Sequence, residues 1–256
     1  MDMLQPFSYR RILLLVFASV FSISVSAQRS SERLLSGWEF VRGDLGGVYE
    51  SLRSKDASQL PAWENVEMPH CYNAFDAVDA DIPYYQGPAW YRTALDVEDT
   101  NAHSRLILHF EGAGQKTKVF IGNEIVGEHV GGYDEFSFDI TDAVQRYVGT
   151  GGLKTNVPLI VRCENSRDLE MIPSDLSDFN VYGGLYRYVN LVQIPEQSIQ
   201  KLQVRPVLSD NLKNAELEIL VEFYDPASEE VAGDLIYTLY NPSGKELISE
   251  QVTLEG

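Results

Sequence analysis

The 256-residue sequence predicts an all-β chain, a two-sheet antiparallel sandwich followed by a second, incomplete one. Apolar and polar residues alternate over short runs, the period of two that marks a half-buried strand. Glycine-containing turns separate those runs. No long stretch repeats every 3.6 residues, so amphipathic helices do not compete for the core, and strands that bury one face each must stack as sheets.

The first 27 residues stand outside the sandwich. Arg10 and Arg11 precede an apolar run over 12–17, small residues follow, and Val25-Ser26-Ala27 reads as a cleavage site before Gln28. The apolar part is shorter than the roughly 20 residues of a membrane span. No cysteine stands at the cleavage point to carry a lipid anchor. Residues 1–27 therefore read as a signal peptide, with an uncleaved anchor helix as the alternative, and the mature chain as exported, the periplasm ahead of the extracellular space.

Within the mature chain, residues 105–111 put Leu106, Leu108 and Phe110 on one face and Ile107, His109 and Glu111 on the other. Residues 118–126 form a hairpin, because Gly122-Asn123 supplies the positive-φ positions of a two-residue turn. Residues 133–140 alternate Phe136, Phe138 and Ile140 against Ser137 and Asp139. Thr141-Asp142 can cap a short helical turn through Val148, which the glycines of 149–152 end. Strands resume at Val157 and at Leu185. Residues 28–195 are long enough to bury their own core, and alternation alone allows a jelly roll or an immunoglobulin-like sandwich.

Pro195-Glu196-Gln197 marks a boundary. Beyond it come strands over 199–208, 215–224 and 235–240, then an Asn241-Pro242-Ser243-Gly244 turn into 246–252. These are about four strands where an immunoglobulin-like sandwich of roughly 100 residues has seven. Residues 196–256 therefore read as a truncated domain, and the chain as the N-terminal part of a longer polypeptide.

Charge narrows the partners. The net charge is -18, and -19 once residues 1–27, which carry a net +1, are removed. Such a surface repels phosphate backbones and anionic lipids before any specific contact forms, which argues against nucleic acid and membrane partners. Cys71 and Cys163 are too few for a disulfide framework. Export makes one bridge chemically possible, while Cys163, on the Leu159/Val161 face of a strand, suits a small buried hydrophobe. Asp76, Asp79 and Asp81 lack the spacing of a calcium loop, and the four histidines lack zinc spacing, so no metal site is expected. Phosphate-binding, dinucleotide and nucleophile-elbow motifs are absent from the sequence, and no cofactor is implied.

One segment is chemically pointed. Asp178-Phe179-Asn180-Val181-Tyr182-Gly183-Gly184-Leu185-Tyr186-Arg187 places a carboxylate six residues ahead of a glycine in a tight loop, with a strand behind it. Asp178 and Asn180 lie in a polar stretch that packing does not explain. A carboxylate there can accept hydrogen bonds from sugar hydroxyls, or its own backbone in an Asx turn. Gly183 and Gly184 suit positive φ or close backbone approach. Arg187 suits a structural ion pair with a carboxylate. Trp90, Tyr84 and Tyr85 suit either sugar stacking or packing.

This segment resembles the end of the N-terminal sugar-binding domain of glycoside hydrolase family 2, the β-galactosidase, β-glucuronidase and β-mannosidase family. Met68-Pro69-His70-Cys71-Tyr72-Asn73, Tyr84-Tyr85-Gln86-Gly87-Pro88-Ala89-Trp90-Tyr91-Arg92 and the opening Trp38 extend the resemblance over residues 33–195, and weakly over 196–256. It implies a jelly roll over 28–195 and an immunoglobulin-like start over 196–256. It also implies that Asp178, with Asn180 beside it, reaches into the active site of a separate (β/α)8 barrel to hold the sugar. A retaining glycosidase needs two carboxyl groups about 5 to 5.5 Å apart. In family 2 both are glutamates on that barrel, so no residue of this chain is expected to be catalytic. The implied parent is a β-glycosidase acting on carbohydrate, with β-galactosidase first and β-glucuronidase or β-mannosidase behind. A stand-alone carbohydrate-binding module is the reading from another class.

Overall fold

The structure, a computed structural model, describes residues 29–52, 62–76, 78–97, 104–149, 154–172, 180–211, 214–224 and 231–254. The predicted signal peptide lies outside the described residues.

Twelve strands build the first unit: β1 Ser30–Arg33, β2 Trp38–Arg42, β3 Glu64–Val66, β4 His70–Cys71, β5 Pro88–Val97, β6 Ser104–Phe110, β7 Lys116–Ile121, β8 Glu124–Val130, β9 Phe136–Asp139, β10 Lys154–Glu164, β11 Gly184–Leu185 and β12 Val189–Pro195. Ten of them form a four-stranded sheet, β1-β12-β6-β9, and a six-stranded sheet, β3-β2-β5-β10-β7-β8, and the other two pair as β11-β4. The pairings in the first two sheets are antiparallel.

Alternation delivers the core. Leu106, Leu108, Phe110, Val189 and Leu191 point inward from the smaller sheet, and Phe40, Tyr91, Leu95, Val119, Leu159, Val161 and Cys163 meet them from the larger. Phe110 stacks on Phe136 with ring centroids 4.7 Å apart. At 25 cal/mol per Å² of buried apolar surface, each such side chain contributes about 1.5–3 kcal/mol. The larger sheet is also covered outside: Val41, Trp90 and Ile160 are buried beneath Leu45, Trp63 and helix α1, Val48–Leu52. Trp90 lies stacked on Phe120, a packing role.

Several predicted elements shift. The strand over 133–140 starts only at Phe136, because Arg187 and Tyr186 hold the carbonyls of Tyr133 and Gly132 in a loop. The run from Leu185 to Leu191 breaks into β11 and β12. Helix α2, Thr141–Val148, is present, but its N-cap is Ile140, without a side-chain cap bond. Asp139 instead accepts the Thr141 N–H at 2.9 Å, while the Thr141 hydroxyl turns away to accept the Leu106 N–H at 2.8 Å. Cys71 and Cys163 are both free thiols.

The remaining strands are β13 Ser198–Leu208, β14 Ala215–Tyr224, β15 Gly233–Tyr240 and β16 Glu246–Leu254. They form two hairpins, β13-β14 and β15-β16, each a separate two-stranded sheet.

Candidate functional site

The loop of residues 180–186 runs along one end of the sandwich, and its position is fixed by side chains from three other segments. Asn73, which follows β4, donates from Nδ2 to the Val181 carbonyl at 2.8 Å and accepts the Gly183 N–H at 2.8 Å. Asn165, just past β10, donates to the same Val181 carbonyl at 2.9 Å and to the Tyr85 carbonyl at 3.1 Å. Its oxygen accepts the Gly87 N–H at 2.9 Å and the Tyr72 hydroxyl at 3.0 Å. The Tyr84 hydroxyl completes the hub, accepting the Val181 N–H at 2.7 Å and donating to the Val181 carbonyl at 3.1 Å. Asn73 and Asn165 are both fully buried. Most buried amides have their hydrogen-bonding capacity met, and Asn165 makes four bonds.

The two glycines are required by space. A Cβ on Gly183 would stand 2.2 Å from the Tyr72 ring. Gly184 sits at φ 110°, and its Cβ would lie 2.4 Å from the Tyr91 hydroxyl and 2.7 Å from the His70 carbonyl. The close approach lets β11 pair with β4, Gly184 opposite Cys71 and Leu185 opposite His70. The His70 Nδ1 lies 2.9 Å from the Tyr91 hydroxyl. Burial lowers the His70 pKa and holds the Tyr72 and Tyr91 phenols well above their ordinary values. His70, Tyr72 and Tyr91 are therefore neutral, hydrogen-bonded groups near pH 7.

Asn180 heads the loop. It is part-buried, and both polar atoms of its side chain are buried without a hydrogen-bond partner among the described residues. Asp178 lies outside the described residues, two positions ahead of Asn180. The acidic run serves its own backbone: Asp76 accepts the Tyr85 N–H at 2.8 Å, and Asp79 the Asp81 N–H at 3.0 Å. Among the described residues Arg187 makes no carboxylate pair of the kind its sequence position suggested. It donates instead to the carbonyls of Glu111 at 3.1 Å and Tyr133 at 3.0 Å, tying the 131–135 loop to the site loop. Tyr85 donates to the Pro88 carbonyl at 2.6 Å.

Residues 49–195 match the sugar-binding domain of the glycosyl hydrolases family 2. The chain belongs to family 2. Among curated relatives it is 32% identical over 200 residues to a putative β-glucuronidase of Formosa agariphila, covering 78% of this chain and 23% of the relative. It is 35% identical over 192 residues to a β-glucuronidase of Bacteroides fragilis, covering 73% and 24%. The solved β-glucuronidase of Parabacteroides merdae superposes with a TM-score of 0.82 at 46% identity, over 88% of this chain and 30% of that one. The chain thus spans about a quarter of the length of these curated relatives.

Asn73, Asn165 and Tyr84 are the positioning residues that sequence reasoning passed over. Asn73 stood in a quoted motif without an assigned role, and Tyr84 was read as a stacking or packing ring, whereas its hydroxyl is what holds Val181. Asn165 carried no signal, since a single asparagine after a strand reads as a turn residue.

Proposed function

We propose that this chain supplies the non-catalytic sugar-binding wall of an exported retaining β-glycosidase. In this reading Asp178 and Asn180 project from the pinned loop toward a sugar held in a barrel elsewhere in the same polypeptide. The observation that carries the reading is the Val181 hub. Three side chains and two glycines fix a loop whose first described residue, Asn180, holds a buried amide with no hydrogen-bond partner among the described residues. Sugar hydroxyls can meet both its donors and its acceptor.

Relatives at 35% and 46% identity are named β-glucuronidases, and this supports placing β-glucuronides ahead of the β-galactosides that the sequence alone put first. A β-galactosidase of Thermoanaerobacter pseudethanolicus, 28% identical over 209 residues, keeps galactosides as the second choice. The chain itself carries no catalytic carboxylate pair in this proposal, so the purified chain should leave nitrophenyl β-glucuronide and β-galactoside intact.

The test is a transplant in which residues 29–195 replace the equivalent segment of the P. merdae enzyme. β-Glucuronide hydrolysis should persist. Asp178→Ala should then remove a charge-assisted bond of about 1.5–3 kcal/mol, a fall of roughly 10- to 150-fold in kcat/KM, and Asn180→Ala a smaller one. Unchanged kinetics in both variants would remove the loop from the sugar site and favour a stand-alone carbohydrate-binding module. Export is checked by N-terminal sequencing of the protein recovered from a Gram-negative host, which should begin at Gln28.

A further inference from the structure

The outer face of the four-stranded sheet is not bare. Val192 and Ile194 point away from the core, yet they are only 3% and 9% exposed, where the start of β13 and the end of β14 lie beside them. The Tyr224 hydroxyl, at the end of β14, bonds the Asp139 carboxylate on β9. Between sheet and hairpin lies a cavity of about 210 Å³.

Its floor is aliphatic, made by Ile107, Val192 and Ile194, and its rim is polar. His109 Nδ1 and Ser137 Oγ, 3.0 Å apart, form one wall. Ser198, Ile199 and Gln200 line the roof together, although a regular strand would send consecutive side chains to opposite faces. The pairing explains this. Ile199 faces Phe223 and Lys201 faces Glu222, leaving Gln200 as an extra residue in a bulge, the device that re-aims side chains beside sites. The Ser198 hydroxyl is buried there without a partner among the described residues.

Arg29 and Asp139 are the charged residues of the lining, and they narrow the ligand. Asp139 already accepts Arg105 at 2.9 Å, the Thr141 N–H at 2.9 Å and the Tyr224 hydroxyl, so the cavity does not call for a cation. An unpaired buried hydroxyl calls for water or a ligand hydroxyl. The volume, below the roughly 300–1,000 Å³ of drug-sized sites, admits one ring. An apolar floor under hydroxyl, amide and imidazole groups suits the C–H face and the hydroxyls of a single sugar. We propose that this cavity binds one monosaccharide, its ring on the aliphatic floor and its hydroxyls on Ser198, Gln200 and the His109–Ser137 pair.

The experiment is an amide NMR titration of the full chain with D-glucuronate, D-galactose and D-glucose in turn, up to about 20 mM, well past a ~1 mM Kd. At least one sugar should give saturable shifts centred on residues 107–109, 137–139 and 192–200. Ser198→Ala removes a hydroxyl that lacks a protein partner, so its melting temperature should hold or rise while sugar binding weakens about five-fold or more. Gln200→Ala, at an exposed strand position, should weaken binding in the same way with the fold intact. The proposal is overturned if no sugar gives saturable shifts there, or if both variants bind as the parent does. A lower melting temperature for Ser198→Ala with unchanged affinity would mark a structural water in the cavity, which also overturns it.

Discussion

Replacing Asn165 by Ala tests the Val181 hub at its most heavily bonded member. Four hydrogen bonds disappear, but their partners do not suffer equally. The Tyr72 hydroxyl still donates to the Gly87 carbonyl at 2.9 Å, and the Val181 carbonyl still receives Asn73 and Tyr84. The Gly87 N–H and the Tyr85 carbonyl have no other bond partner among the described residues. Leaving a buried polar group unmet costs about 1–3 kcal/mol, so two such groups and the weakened neighbours predict a loss of about 3–5 kcal/mol. Asn165→Asp, with the same shape, should be at least as damaging, because an acceptor would then face the Tyr85 and Val181 carbonyls. Urea denaturation of both variants measures the loss, and amide exchange at Val181 and Gly183 should speed up more than exchange in β6 or β10. A loss under about 1 kcal/mol, with Val181 as protected as before, would show that the hub does not hold the loop.

Three further outcomes follow from described geometry. Gly184→Ala combines left-handed strain with overlap against Tyr91 and His70 and should cost more than about 3 kcal/mol, whereas Gly37→Ala, at φ 79° with its nearest neighbour at 3.6 Å, should cost only the roughly 1–2 kcal/mol of the strain itself; paired melting curves compare them. Burial pushes the Cys163 thiol up to about 12 and raises Cys71 less, so iodoacetamide at pH 8 should label Cys71 slowly and Cys163 only after denaturant is added, as peptide mass mapping would show. Burial works to raise the Asp139 carboxyl, but bonds from Thr141, Tyr224 and Arg105 outweigh it and hold the pKa below the ordinary 3.8. The folded state therefore binds that proton less readily than the unfolded state. Its stabilisation is complete above about pH 4 and is lost as pH falls through the depressed value, and Asp139→Asn should flatten that acid limb in pH-dependent urea curves.

The inward faces of the sandwich were legible because period-two alternation is a direct consequence of strand geometry. Leu106, Leu108 and Phe110 fell on the buried side as expected, and the Gly122-Asn123 turn closed the expected hairpin. What escaped was decided by contacts between distant segments. Asn165 bonds Val181 in sequence proximity but Tyr72 and Gly87 across about 80–90 positions, and composition does not reveal such partners. Thr141 looked like a helix cap, and tertiary pairing with Leu106 took its hydroxyl instead. Arg187 looked like half of an ion pair, yet two loop carbonyls lay closer to hand. The doublet Gly183-Gly184 was readable as a need for unusual backbone. Which ring stood against it was not.

The Val181 carbonyl, bonded by Asn73, Asn165 and Tyr84 together, also separates two design problems that are usually entangled. The anchors come from outside the loop, so, if the proposed sugar-site role holds, the residues ahead of Val181 can be varied while the Val181 attachment point stays fixed. A library randomised only there should yield mostly folded members, and differences among them would report on recognition, whereas a library that included Asn73, Asn165 or Tyr84 would mix recognition with collapse of the attachment.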